Sequence, residues 1–134
     1  MTTAVRQLDR AMRVVTFDEP AEIATLREQI EEALDLTRDP DPRVRAAAAR
    51  ALCPCRLKTN HPDVWDRLLA MAGDADARVR SNVLHLLADG SPREREPQVV
   101  AAIESMWNDP DPGLRRQVRK LLARYRRTGR INVL

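Results

Sequence analysis

Apolar residues in this chain recur at helical spacing in short runs separated by polar turns. Val44, Ala48, Ala51 and Leu52 are offset by 4, 3 and 1, which places them on one side of a helix. The same offsets return at Val79, Val83, Leu86 and Leu87, and again at Leu114, Val118, Leu121 and Leu122. A second set precedes each of these. Ile30, Ala33 and Leu36 align with Val64, Trp65, Leu68, Met71 and Ala72, and with Val99, Val100, Ile103, Met106 and Trp107. The pattern predicts three copies of a unit made of helix A, a turn and helix B, with both tryptophans at core positions of helix A.

The turns repeat more closely than the helices. Asp39-Pro-Asp-Pro-Arg-Val-Arg45 returns as Asp74-Ala-Asp-Ala-Arg-Val-Arg80 and as Asp109-Pro-Asp-Pro-Gly-Leu-Arg115, each time after 35 residues. An uninterrupted period of this length is the mark of a helical solenoid. The first Asp of each copy (39, 74, 109) lies at the end of helix A. The second (41, 76, 111) is suited to accept the unpaired backbone N–H groups that open helix B. Pro40, Pro42, Pro110 and Pro112 stop one helix and start the next, while Pro62 and Pro97 fit the first turn of helix A. Capping, and not paired catalytic carboxylates, explains acids that return once per copy.

The ends depart from the period. Val5, Leu8, Met12 and Val15 predict a lone helix over residues 3–15 that caps the open core of the first copy, as solenoid ends require. Phe17 to Pro20 is a turn, and Ala21 to Arg38 a long first helix A. The copies span residues 21–55, 56–90 and 91–127, followed by a tail over 128–134. Gly129 is placed to end the last helix. The apolar Ile131-Asn-Val-Leu134 is expected to fold back on the last copy; the other reading is a docking peptide.

These features resemble HEAT repeats. The resemblance rests on the Asp-x-Asp-x-x-Val/Leu-Arg cores at 39–45, 74–80 and 109–115 with their following apolar positions, and covers roughly residues 21–127. It implies an all-α fold, a right-handed α-solenoid of helix pairs. It also implies a ladder between adjacent repeats in which Asp39, Asp74 and Asp109 join Arg45, Arg80 and Arg115. Gly113 and Leu114 depart from the Arg and Val of the other copies and loosen the match of the third turn.

Composition agrees with a single helical domain. The 134 residues are 43% hydrophobic and 32% charged, with only four aromatics (Phe17, Trp65, Trp107, Tyr125) and four glycines. That is too little aromatic and glycine content for a sandwich or barrel, and no glycine-rich phosphate loop can be built. No apolar run approaches a membrane span, no secretory leader opens the chain, and two cysteines make no disulfide framework. A cytoplasmic protein is the expectation. The formal charge of +3 conceals a gradient: residues 1–42 carry −5, residues 43–112 are neutral, and residues 113–134 carry +8.

Chemistry has few places to sit. Cys53, Cys55 and His61 are three possible ligands to zinc, but their spacing is poor, no fourth ligand is near, and no metal or other cofactor is expected. The simpler reading makes the cysteines small apolar residues at a helix end that Pro54 terminates. No Ser or Cys nucleophile has a visible His–acid partnership. Arg50, His85 and Lys120 occupy equivalent positions on successive B helices. With Ser81, Arg116, Arg119, Arg124 and Arg127 they form the candidate partner-binding set. The leading reading is a non-catalytic protein-interaction module, its partner possibly acidic. A nucleic-acid binder contacting phosphates through the basic end is the second reading. A third, implied only by the occurrence of HEAT-like repeats in the phycobilin lyase family, is a tetrapyrrole-handling protein. Head-to-tail self-association is a further way to use the opposite charges of the two ends.

Overall fold

The computed structural model describes residues 20–53 and 61–131, with side chains from residue 25 onward. The proposed capping helix over 3–15, together with Cys55 and the last three residues, lies outside them. The order is α1 (Pro20–Leu36), α2 (Pro42–Ala51), α3 (Pro62–Ala70), α4 (Ala77–Gly90), α5 (Glu96–Glu104) and α6 (Pro112–Thr128). Short 3₁₀ turns at Met71–Gly73 and Arg93–Arg95 extend the ends of α3 and α5. No strand occurs among the described residues. The pairs α1/α2, α3/α4 and α5/α6 stack in chain order, consistent with an α-solenoid.

Each B helix begins where the turn carboxylates place it. Asp41 accepts from the Arg43 N–H at 2.9 Å, Asp76 from Arg78 and Val79 at 2.8 and 3.3 Å, and Asp111 from Leu114 at 2.8 Å. These bonds satisfy donors that a helix start otherwise leaves unpaired. Pro42 and Pro112 occupy first-turn positions, where a missing N–H costs little. Gly129 ends α6 at φ 70°, a left-handed conformation that favours glycine, and its N–H reaches Tyr125 O at 2.7 Å.

The periodic apolar positions form the core. Ile30, Trp65, Leu68, Met71, Val79, Val83, Leu87, Ile103, Val118 and Leu122 are all buried in one continuous cluster. Ile131, at the end of the described chain, is fully buried in the same cluster. Trp107 departs from its expected core position: it is 37% exposed. Its equivalents in the earlier repeats, Thr37 and Ala72, are buried. α5 ends at Glu104 and the chain is already turning at Trp107, beyond which no further repeat lies among the described residues.

Candidate functional site

The ladder is built from arginines that each bind two repeats. Arg45 lies in the first turn of α2. Its Nη1 donates to Asp39 O and Pro40 O, and its Nε and Nη2 donate to both oxygens of Asp74, each at 3.0 Å. Arg80 does the same one repeat later, donating to Asp74 O and Ala75 O and to Asp109 at 2.8 and 2.9 Å. The side chains are nearly dry: 16% and 10% exposed for Arg45 and Asp74, 12% and 3% for Arg80 and Asp109. Bidentate guanidinium–carboxylate geometry fixes register as well as adding energy. Hydrogen bonds from Arg80 hold Asp109 below the usual carboxylate range despite its burial. At Asp74 burial pushes upward, but Arg45 and the Asp76 N–H more than offset it, and the net direction is down.

Asp39 and Arg115 stand at the two ends of this series. Asp39 Oδ1 accepts from the Asp41 N–H at 2.8 Å, as its equivalents do in their turns. No arginine reaches it among the described residues. Arg115 Nη1 donates to Asp109 O at 2.9 Å, the first of the two turn bonds that Arg45 and Arg80 each make. Its Nε and Nη2 meet no carboxylate among the described residues.

Three inter-repeat contacts have no counterpart in the period, one of them from Asn82 Nδ2 to Ala46 O at 3.3 Å and two from arginines. Arg67 on α3 turns back to the first repeat, donating to Thr37 Oγ1 at 2.9 Å and Thr37 O at 3.0 Å. Desolvation and the nearby Arg38 lower its pKa from the usual guanidinium value. Arg95 reaches back to Asp66 and to Pro62 O. Positions equivalent to Arg67 are Glu32 and Ala102, so repeat comparison carries no signal for it. The only available hint was a long basic residue on a largely apolar helix.

The eight residues grouped as a partner-binding set divide between two surfaces. Arg50, His85, Lys120, Arg116 and Arg127 are exposed along the B helices. Within this group His85 Nε2 sits 3.1 Å from Asp89, one turn along α4. Ser81, equivalent to Arg116, is half-buried, as is Arg124. Arg119 is exposed at the end of the stack. Its equivalents Ala49 and Leu84 are buried, whereas Arg119 covers the end of its own repeat. It donates to Trp107 O and Asn108 Oδ1, both at 3.1 Å, and its guanidinium lies 4.8 Å from the Trp107 ring centroid. Arg126 lies over the same ring at 5.7 Å. The indole is therefore a surface residue faced by two cations, and not a core residue of helix A.

α6 carries Arg115, Arg116, Arg119, Lys120, Arg124, Arg126 and Arg127 and no acid. Its opposite side buries Leu114, Val118 and Leu122. None of these cations has a carboxylate partner among the described residues. Glu31, Asp35, Asp63 and Asp66, with Arg38 and Arg67, line a groove of about 460 Å³ between α1 and α3.

The metal candidates do not assemble into a visible set. Cys53 is buried after α2, while His61 stands before α3 with its Nδ1 covered and unbonded among the described residues. No group of three His, Cys, Asp or Glu side chains among the described residues could hold a metal ion.

The capped turns, the two-repeat arginines and the stacked pairs agree with comparison to known families, in which a model described as HEAT repeats matches residues 30–123. The chain belongs to the HEAT-repeat family. HEAT repeats generally act as protein-interaction scaffolds, and the family is typically non-catalytic. Neither the curated proteins nor the solved structures gave a match. No helix among the described residues of this HEAT protein is long and apolar enough to cross a membrane.

Proposed function

We propose that this HEAT-repeat protein is a non-catalytic scaffold that binds an acidic protein surface along the exposed side of its B helices. The strongest contribution comes from the last repeat. The observation that carries this reading is α6: seven cations, no acid, and no carboxylate partner among the described residues. A helix that needed its charges only for solubility would mix signs along its surface. Arg116, Lys120 and Arg127 share the exposed side, spaced so that successive turns present one positive row. Arg50 continues it onto the first repeat, and His85, beside Asp89, holds the equivalent place on the second.

The test is capture from source cells with the native protein and with Arg116→Glu, Lys120→Glu and Arg127→Glu combined. Loss of specific partners in the variant supports the reading, and an unchanged set of partners overturns it. Duplex DNA supplies the control. If it binds with an affinity that falls steeply with salt, and protein capture does not change, phosphate and not protein is the ligand of this surface.

A further inference from the structure

The ladder ends suggest a different occupant for a different surface. We propose that the end of the last repeat receives the first repeat of a second copy, continuing the ladder from Arg115 of one copy to Asp39 of the next. This goes beyond the scaffold reading, because the surface is the end of the stack and not the exposed side of the B helices.

Four observations carry it. First, Arg115 is set in advance. It makes one of the two Nη1 bonds that Arg45 and Arg80 make to their own turns, which leaves its Nε and Nη2 for a carboxylate such as the earlier arginines hold. Second, Asp39 is the matching half. Its Oδ1 caps the turn as in Asp74 and Asp109, and no arginine among the described residues bonds to it as to those two. Third, the end face carries apolar surface at positions that are covered earlier in the stack. Val100 is half-buried where Ile30 and Trp65 are buried, and with Pro97, Ala101 and Tyr125 it forms the apolar part of a groove of about 480 Å³ that Arg93, Glu96 and Glu104 also line. Trp107 is exposed where Thr37 and Ala72 are buried.

Fourth, the cations around Trp107 are opposite in sign to the acids of the first helix. Arg67 of α3 turns back onto the first repeat, so the equivalent side of α1, bearing Glu28 and Glu32, points away from the second repeat. These two acids are exposed. The facing end of another copy would bring Arg115, Arg119 and Arg126. Such a contact is heterologous, so it propagates into chains unless rotation closes it into a ring.

The experiment is sedimentation of the full chain from micromolar to millimolar concentration at low and high salt. It uses the native protein, Asp39→Arg, Arg115→Asp, and an equal mixture of the two variants. The native protein should grow into larger species with concentration and dissociate with salt. Each single variant sets like charges against one another and should associate at least about 30-fold more weakly. The mixture should recover, because Asp placed at 115 in one variant meets Arg placed at 39 in the other. The emission of Trp107 should shift with assembly in a Trp65→Phe background.

Failure has equally definite signs. A native protein that stays monomeric throughout overturns the proposal, which is also the result if the chain's own N-terminal segment occupies that face. Single variants that associate like the native protein, or a mixture that does not recover, overturn it too. Should a variant lose helix content, Asp39→Asn and Arg115→Gln carry the same comparison without charge reversal. Reversal at Arg116, Lys120 and Arg127 should leave assembly within a few-fold of native, which separates failure here from failure of the scaffold reading.

Discussion

Asp109 is the most buried acid among the described residues, and it survives as an anion because three donors converge on it: Nε and Nη2 of Arg80 and the Asp111 N–H. Replacing it with Asn leaves a nearly dry guanidinium without its counter-charge, which should cost about 3 kcal/mol in a urea melt. Arg80→Lys keeps the charge but loses the fork, and about 1–2 kcal/mol is the expected cost. The pH dependence follows from the direction of the shift. The Asp109 pKa is lower in the folded protein than the ordinary 3.8, so its stabilisation is fully present above that value. It is lost as pH falls through the folded pKa, and stability of Asp109→Asn should therefore vary less with acid than that of the native protein. The positions of these acids and arginines were legible because the turns repeat. Arg67 was not: its contact with Thr37 is made once, and a comparison between repeats averages away what only one of them contains.

At the scale of the helices, the period identified which segments are helical and which side is buried, since both follow from local spacing. It misplaced Trp107 for a reason of the same kind. Alignment with Ala72 assigns a burial that depends on the next repeat, and the sequence position alone does not say that none follows in the described stack. The period also does not foretell the local contacts of Arg119, which donates to Trp107 O and Asn108 Oδ1 at the end of its own repeat. The ends of the B helices give sharper expectations. Asp76→Ala removes the acceptor for two N–H groups and should destabilise the fold by about 1 kcal/mol. Gly129→Ala forces a side chain into a left-handed backbone at φ 70° and should cost about 1 kcal/mol. Thermal melts of the two variants would show whether each loss is of that size.

For the molecule as a whole, the charge gradient and the ladder express one organisation, a stack with distinct ends. Sequence comparison located the surplus of cations but could not divide it between surfaces. That division depends on which α6 residues look along the stack and which look out from it. A further consequence lies in the double use of each ladder carboxylate. Asp74 accepts the Asp76 N–H and the Arg45 guanidinium together, and Asp109 likewise serves the Asp111 N–H and Arg80. Separating two repeats therefore also loosens a turn, and the turn cannot open quietly while the repeats remain together. Amide hydrogens provide a clock for this coupling: those of Asp76 and Asp111 should exchange with solvent only as fast as neighbouring repeats part. The Asp41 amide, whose acceptor Asp39 is tied to no arginine among the described residues, should exchange sooner.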